Sequence, residues 1–280
     1  PSLIEEFLQG RRVLSAKLML SGRSNTNYKL VLRDGGTFIL RFRAGCSGSA
    51  ESYVFDLVRD LVPVPTEIYR SESWSVLSYL EGDLLETIPR HTAQAAAALA
   101  RISSVTFGSS GWIKGDGTIS PFPFGGVTGY IKEKLDDPVV QGWIGAESTE
   151  AISLVLKKET WRLEELEDER CLVHGDFNPS NILIAGGSVS GILDWEHCHS
   201  GSPYMDIGNL IRHTGSEYRG QVEERIKAEG MTLPADWKER TQLMDLTSNL
   251  EFLTSARSDG FKRQCVDRIR QFLRRFHHVN

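Results

Sequence analysis

The first part of the chain alternates apolar and polar residues, whereas the later part places apolar residues three and four positions apart. The first pattern predicts strands, and the second predicts amphipathic helices. A tight turn at 34–36 is expected to join the second predicted strand to the third. The strands are predicted at 13–20, 28–32, 37–43 and 75–80, and the helices of this part at 3–9 and 51–61.

From about residue 81 onward the pattern is mainly helical. Residues 107–126 are rich in glycine, proline and aromatic side chains, and they predict a long structured loop that either borders a substrate cleft or packs on the surface. Three short apolar runs between 171 and 193 predict strands. The helices are predicted at 91–105, 130–135, 146–169, 204–213, 216–229, 235–256 and 258–277.

These elements predict an α+β fold built from two parts. Residues 1–80 would form a small antiparallel sheet with one helix, and residues 81–280 would form a mainly helical part. A chain of 280 residues is long enough for two such lobes that share a cleft.

The segment from His174 to Leu183 has the spacing H-x-D-x-x-x-x-N, and Asp194 follows at the end of the next apolar run. Phosphoryl transfer needs a carboxylate that receives the acceptor hydroxyl's proton and oxygen ligands that hold magnesium on the nucleotide phosphates. Asp176 fits the first task, and Asn181 and Asp194 fit the second. The alternative is a β-hairpin with polar tips and no catalytic role.

These residues, with the Gly-Ser-Pro-Tyr-Met-Asp-Ile-Gly run that begins at Gly201, resemble the aminoglycoside phosphotransferase and choline-kinase group of small-molecule kinases. Asn178 stands where protein kinases usually have lysine, and Asp194-Trp195-Glu196 stands where they have Asp-Phe-Gly. The resemblance implies a protein-kinase-like fold with an N-lobe and a C-lobe. It also implies a nucleoside triphosphate donor, ATP or GTP, and Mg²⁺.

The resemblance assigns the polar segment 21–27 to a loop over the nucleotide phosphates, although a plain hairpin loop remains the alternative. The strand at 37–43 places Phe38, Leu40 and Phe42 on one face and Ile39, Arg41 and Arg43 on the other. In kinases a third-strand lysine binds phosphate and pairs with a helix glutamate. Here Arg41 would do so with Glu51 as partner. The residues expected to contact the nucleotide are Ser24, Asn25, Thr26, Asn27, Ile39, Arg41, Glu51, Ser78, Tyr79, Leu80, Leu183 and Leu193.

Two of these assignments have named alternatives. Arg43 is the rival phosphate ligand, and Glu51 is otherwise an ordinary first-turn glutamate favoured by the helix dipole. Ile39 is expected against the adenine. The backbone of Ser78, Tyr79 and Leu80 is expected to bond the adenine at a hinge between the lobes.

The resemblance also implies an acid-lined acceptor site, for which Glu196, Asp245 and Glu251 are candidates. His174 is expected to anchor the catalytic loop. Asp206 is expected either to fix that loop by bonding its backbone or to cap a helix.

Composition limits the classes of binding partner that we expect. The formal charge of −5 argues against a nucleic-acid binder and is compatible with a cationic substrate. We expect no membrane association, because no apolar run approaches the roughly 20 residues that a membrane span needs. The four cysteines have no Cys-x-x-Cys spacing and predict free thiols in the reducing cytoplasm.

The sequence therefore predicts a magnesium-dependent O-phosphotransferase that uses ATP or GTP and acts on a small hydroxylated molecule. The expected acceptor is an aminoglycoside or another cationic antibiotic, with resistance by phosphorylation as the result. The alternatives are a metabolic kinase for an amino alcohol, a sugar amine or a homoserine-like metabolite, and a non-catalytic nucleotide-binding pseudokinase.

Overall fold

The computed structural model describes residues 4–19, 25–42 and 48–277. Its first part is a five-stranded antiparallel sheet in the order β1-β2-β3-β5-β4. A tight turn joins β2 to β3, and Gly35 adopts a φ of +90° there, which favours glycine. The elements of this part are α1 (Glu5–Leu8), β1 (Val13–Met19), β2 (Thr26–Leu32), β3 (Thr37–Phe42), α2 (Gly48–Val58), β4 (Glu67–Arg70) and β5 (Trp74–Ser78).

The alternation along β3 produces the two faces that the sequence predicts. Phe38, Leu40 and Phe42 pack into a small apolar cluster with Phe7 and Trp74. Ile39 instead packs against the main core, which extends from α2 through the rest of the molecule. The sheet is thus covered on both faces, and its inner face is part of the same core as the helices.

The second part of the chain is mainly helical and carries two small sheets, with strand orders β11-β10-β6 and β8-β7-β12-β9. Helix α9 packs against α4, α5, α6, α7 and α10. The elements are β6 (Asp83–Leu84), α3 (Thr92–Ser103), β7 (Gly111–Ile113), β8 (Ile119–Ser120), α4 (Val127–Asp136), α5 (Pro138–Lys158), α6 (Thr160–Asp168), β9 (Cys171–Val173), β10 (Ile182–Ala185), β11 (Ser188–Ile192), β12 (His199–Gly201), α7 (Tyr204–His213), α8 (Arg219–Ala228), α9 (Trp237–Thr254) and α10 (Asp259–His277).

The fold class is the predicted one, with an antiparallel sheet first and helices after it. Several boundaries differ. The helix predicted at 146–169 is two helices, α5 and α6, and the predicted loop at 107–126 contains the strands β7 and β8. The first sheet lies entirely before residue 80, while the division of the chain at that residue stays a prediction. Among the described residues, no helix is both long and apolar enough to cross a membrane.

Candidate active site

The predicted catalytic loop lies between β9 and β10. The chain leaves β9 at Val173 and passes through the His174-Gly175-Asp176 segment. It then makes a short 3-10 turn at Pro179–Asn181, which leads into β10. Strands β10 and β11 pair antiparallel, and the chain after β11 reaches Asp194. Two glycines with positive φ, Gly186 and Gly187, close this hairpin. The short hairpin of β10 and β11 therefore brings the chain back, so that Asp194 lies near the catalytic loop.

Both carboxylate oxygens of Asp176 accept side-chain hydrogen bonds. Asn178 Nδ2 donates to Oδ1 at 2.7 Å, and Asn181 Nδ2 donates to Oδ2 at 2.9 Å. The Asn181 amide also donates to the Asp176 carbonyl oxygen at 3.0 Å. Asp176 is half-buried and lines a cleft, so its carboxylate is oriented by two amides and still open to a bound molecule.

His174 and Asp206 hold the backbone of the loop. Asp206, 1% exposed, accepts from the backbone N–H groups of His174 and Gly175 at 2.6 and 3.0 Å. His174 Nδ1 accepts from the Asp176 N–H, so its Nε2–H is the donor to the Leu193 carbonyl oxygen at 2.9 Å. The loop is thereby tied to the residue before Asp194.

Burial shifts the titration of both anchors. Burial raises the pKa of Asp206 to about 7 against the two backbone donors that favour the carboxylate. Burial lowers the pKa of His174 to about 4, so the imidazole is neutral at pH 7, in agreement with its acceptor nitrogen. These contacts are the ones expected of anchoring residues, and the functional role of both side chains stays a prediction.

Gly175 leaves no room for a side chain. Its φ is +85°, and an added Cβ would lie 2.4 Å from the His197 carbonyl oxygen. The loop and the segment after Asp194 therefore approach each other more closely than any residue except glycine allows.

Asp194 has an unusual backbone conformation and a carboxylate with a shifted pKa. Its φ of +66° lies in the left-handed region, which is uncommon for residues other than glycine. Burial, followed by repulsion from Glu196, raises its pKa to about 6, although Arg41 opposes this shift. No described residue donates a hydrogen bond to the Asp194 carboxylate. The next residue, Trp195, is fully buried and bonds the Ile192 carbonyl oxygen, which fixes this turn.

The oxygens at this point suit a hard cation. The side-chain amide nitrogen of Asn181 donates to Asp176. The Asn181 Oδ1 has no hydrogen-bond partner among the described residues. Asp194 and Glu196 repel each other, and a cation would relieve that repulsion. Within the described ranges, no group of three His, Cys, Asp or Glu side chains could hold a metal by itself. Magnesium usually takes one or two protein carboxylates with phosphate oxygens and water, so Asn181 and Asp194 fit it.

Arg41 and Glu51 form the ion pair that the sequence predicts. Arg41 Nη1 lies 2.7 and 2.8 Å from the two carboxylate oxygens of Glu51, and Arg41 Nε donates to Asn27 Oδ1 at 3.1 Å. The two charged residues are 8% and 7% exposed. Burial acts to lower the pKa of Arg41, but Glu51, Asp194 and Glu196 attract its charge and raise the pKa overall. The guanidinium therefore lies within electrostatic reach of Asp194.

The predicted phosphate loop is described only in part. Ser24 and the rival ligand Arg43 lie outside the described residues. Asn25 Nδ2 donates to Glu196 Oε2 at 3.3 Å, whereas Thr26 is exposed at the start of β2. Asn25 and Asn27 thus connect the beginning of β2 to Glu196 and Arg41.

One backbone donor of the predicted hinge is already bonded within the sheet. The Ser78 N–H donates to the Thr66 carbonyl oxygen at 2.9 Å, and Ser78 Oγ accepts from the Thr66 N–H. Ser78 therefore has no backbone donor left for adenine, because β4 and β5 are still paired there. The backbone contacts of Ser78, Tyr79 and Leu80 with adenine stay a prediction.

Two of the apolar residues predicted for the nucleotide site lie together beside Gly191. Leu80 and Leu183 flank Gly191, within about 3 Å of where a Cβ on that glycine would lie. The backbone of Leu193 connects the segment before Asp194 to the catalytic loop, since its N–H donates to the Asn181 carbonyl oxygen at 2.8 Å. Ile39 is partly buried against the main core.

Asp176 opens into a cleft of about 570 Å³, called the Asp176 cleft below. One wall is a continuous series of aromatic rings, with centroid distances of 5.2, 5.2 and 4.7 Å along Trp112, Phe122, Phe124 and Tyr130. Three of these rings come from the glycine- and proline-rich loop, which therefore borders the cleft. The charged side chains of the lining are Glu133, Lys134, Glu167, Asp176, Glu251 and Arg257.

Only one of the two predicted acidic residues on α9 lines this cleft. Glu251 does so, paired with Lys134 at 2.7 Å and bonded by the Tyr130 hydroxyl. Asp245 instead pairs with Arg212 and lines a separate cavity. The two acids are six positions apart, which is about 120° around a helix, so they face different directions.

Several residues at the site were not predicted from the sequence. Asn178 orients Asp176, and Gly175 permits the close approach described above. Asn209 donates to the Gly175 carbonyl oxygen at 3.2 Å and accepts from Arg212 at 2.7 Å. Asn178 could have been found, because an asparagine two residues from the aspartate can bond back to it. Asn209 gives no such local signal.

The fold and the loop define a protein-kinase-like phosphoryl-transfer protein. Residues 15–242 match the family described as the phosphotransferase enzyme family, and the chain belongs to it. The predicted resemblance and the predicted enzyme class, a phosphotransferase, are confirmed.

Other known proteins resemble the chain over part or all of its length. Acyl-CoA dehydrogenase family member 11 of Mus musculus is 33% identical over 92 residues, which cover 31% of this chain and 12% of that relative. Macrolide 2′-phosphotransferase MphH from Brachybacterium faecium has a TM-score of 0.70 at 14% identity, covering 96% of this chain and 98% of the other.

Two aminoglycoside phosphotransferase structures share the same fold. The first is APH(4)-Ia with AMP-PNP and hygromycin B, with a TM-score of 0.69 at 17% identity over 100% of both chains. The second is the GDP complex of aminoglycoside 2′-phosphotransferase-IIIa, with a TM-score of 0.69 at 15% identity over 98% of this chain and 97% of the other. At these identities the structures establish the fold alone.

Proposed function

We propose that the protein transfers the γ-phosphoryl group of a nucleoside triphosphate to a hydroxyl of a small molecule. The observation that carries this proposal is the arrangement around Asp176. Two amides orient its carboxylate beside an open cleft, while Asn181 and Asp194 offer side-chain oxygens to which no described residue donates a hydrogen bond. The related structures with AMP-PNP and with GDP support nucleotide use and leave ATP and GTP both open.

Each residue then has a distinct task. Asp176 accepts the proton of the acceptor hydroxyl. The hydroxyl oxygen of the acceptor bonds to the γ-phosphorus as the bond to the leaving nucleoside diphosphate breaks. Asn181 and Asp194 hold Mg²⁺, which neutralises charge on the phosphates. Arg41, oriented by Glu51 and Asn27, contributes a fixed positive charge to the phosphate site.

The Asp176 cleft supports a cationic acceptor with a sizeable apolar body. Its aromatic wall can cover apolar surface and can also attract a cation over the ring faces. Four carboxylates line the cleft against one lysine and one arginine. A cationic antibiotic is the first candidate, and a metabolite such as an amino alcohol or a sugar amine is the second. The nearly buried Arg41–Glu51 pair and the oriented Asp176 favour an active enzyme over a pseudokinase.

An assay of nucleoside diphosphate release tests both the reaction and the acceptor. The panel would contain aminoglycosides, a macrolide, peptide antibiotics, choline and homoserine, each with ATP and with GTP. Release that depends on one acceptor supports the kinase and identifies the class of substrate. Bound nucleotide without acceptor-dependent release under any of these conditions would instead favour the pseudokinase.

The charge of the acceptor is tested separately at Glu251. The variant Glu251→Gln leaves Lys134 without its carboxylate in the cleft, so the KM of a cationic acceptor should rise while the KM for ATP stays unchanged. The acceptor KM should also rise with salt. Glu224→Gln, which removes one exposed carboxylate outside the cleft, is the matched control. An acceptor KM that changes neither with salt concentration nor in Glu251→Gln would point to a neutral or zwitterionic metabolite.

A further inference from the structure

A second cavity, of about 500 Å³, lies among α7, α8, α9 and α10. It uses the face of α9 that bears Thr241, Gln242, Asp245 and Asn249, whereas the Asp176 cleft uses Met244, Thr247, Ser248 and Glu251. The two spaces are thus separated by one helix. We call the second space the basic cavity, for the reason given next.

The basic cavity has an excess of positive charge. Five cationic side chains line it against two carboxylates, although the whole chain carries a formal charge of −5. Both carboxylates are already paired, Glu223 with Lys227 at 2.7 Å and Asp245 with Arg212. The remaining cationic residues of the lining make no ion pair with any described carboxylate, and they are Arg219, Lys238, Arg268 and Arg275.

One of these cations is left with an unmet hydrogen bond. Nη1 of Arg268 is buried and has no hydrogen-bond partner in the described part of the chain. Leaving a buried charged donor unsatisfied costs more than leaving a neutral one. An anion bound beside Arg268, which lines the cavity, would supply an acceptor for this donor.

The rest of the lining fits a small ligand with an apolar portion. Leu246, Ile269 and Phe272 are buried apolar residues of the wall, and Trp237 adds an aromatic ring. Guanidinium groups bind phosphate through parallel N–H donors and suit it better than they suit simple halides.

We propose that the basic cavity binds a small phosphorylated anion, with its phosphate at Arg268 and Arg275 of α10 and with Lys238 of α9 nearby. The site lies outside the Asp176 cleft and shares no residue with the proposed catalytic machinery. Nucleotides and phosphorylated metabolites both offer this chemistry.

Isothermal titration with pyrophosphate tests the site, at an ionic strength held constant with sodium chloride. The cavity variant is Arg268→Gln with Arg275→Gln. The matched control is Arg263→Gln with Arg274→Gln, which removes two exposed arginines from the same helix outside the cavity. The catalytic site also attracts pyrophosphate, but both variants retain it. Only the difference between the two variants therefore reports the cavity.

We expect wild type and control to show a binding step that the cavity variant loses or weakens at least tenfold. Equal binding by both double variants would overturn the proposal. If the cavity variant fails to fold, Arg219→Gln with Lys238→Gln replaces two exposed side chains of the same lining and should give the same loss. Titrating ADP in parallel distinguishes the sources, because a cavity-dependent step for ADP stronger than the one for pyrophosphate identifies a nucleotide.

Discussion

At the scale of single residues, the site depends on how the Asp176 carboxylate is held. Asn178 and Asn181 each donate to one of its oxygens, so the side chain has little freedom to turn away from the cleft. A general base must lie within hydrogen-bond reach of the proton it takes. The two amides therefore orient the Asp176 carboxylate before any acceptor binds.

Replacing Asp176 with alanine should lower kcat by roughly 10²–10⁴-fold, the usual range for the loss of a general base. Nucleotide affinity should change little, because Asn181 and Asp194 remain. Steady-state kinetics and nucleotide titration measure the two effects, with Ser188→Ala, at an exposed position of β11, as the control. Wild-type turnover in Asp176→Ala would remove this residue from the mechanism.

Asp194→Asn should weaken binding of the magnesium–nucleotide complex more than binding of the nucleotide without metal. The amide keeps the shape of the side chain but lacks the charge that attracts Mg²⁺. Titrations with and without magnesium measure the difference. If both proteins show the same magnesium dependence, Asp194 is not a ligand of the metal.

The sequence located the residues within the catalytic motif because their spacing is local. It did not show that Asp245 and Glu251 line different spaces, although the angle of about 120° between them on a helix was available from their numbers alone. Asn209 could not be found this way. Its partner, Gly175, lies 34 positions earlier, and only the packing of α7 against the loop brings them together.

At the scale of elements, β3 and α2 are joined by the Arg41–Glu51 pair. Strand β3 supplies the guanidinium, β2 supplies Asn27, and the first turn of α2 supplies the carboxylate. A shift of α2 would therefore change the position of the Arg41 guanidinium. The predicted strand face of Arg41 agrees with this pair, since alternation along β3 places Arg41 and Ile39 on the inner side of the sheet.

Arg41→Ala should raise the KM for ATP by roughly 10–100-fold, which corresponds to losing hydrogen bonds to a charged group. Arg43→Ala should raise it less. The Arg41 variant should also lose stability, because it leaves Glu51 buried without its partner. Denaturant unfolding, run beside the kinetics, separates the two effects. A larger rise in KM for Arg43→Ala would show that the wrong arginine was assigned.

The strand pairs of the second part were harder to predict than the helices. Helix positions follow from a local period, and the four helices after residue 203 lie within a few residues of their predicted bounds. In contrast, β12 pairs with β7 and β9, and β6 pairs with β10, over separations of about 30 to 100 residues. The strands β6, β7 and β12 have only two or three residues each, which is too short for an alternation that the sequence would reveal.

At the scale of the whole molecule, buried titratable groups make stability depend on pH. His199 is buried beside Trp112 and Phe122, and its Nδ1 bonds the His197 carbonyl oxygen. Burial lowers its pKa from 6.5 to about 4. Between these values the unfolded chain holds a proton that the folded chain does not. Its contribution to stability is therefore complete above pH 6.5 and is lost as the pH falls toward 4.

His199→Asn should remove that dependence while keeping a side-chain donor. In the wild type this one group changes the free energy of unfolding by about 1 kcal/mol per pH unit between pH 4.5 and 6. The slope of the variant should be smaller by that amount, whatever its stability at pH 7. Urea unfolding at several pH values measures both slopes. Parallel curves for the two proteins would contradict the assignment of a buried neutral imidazole.

Helix α9 bears the walls of two spaces on interleaved positions. Met244, Thr247, Ser248 and Glu251 face the Asp176 cleft, and the neighbouring positions face the basic cavity. None of these side chains hydrogen-bonds Asp176, His174 or Asp206. Under the function proposed above, substitutions along one stripe of this helix would, over evolutionary time, change which acceptor binds while the catalytic loop stays intact. Such a scaffold can diversify in substrate without first losing its chemistry.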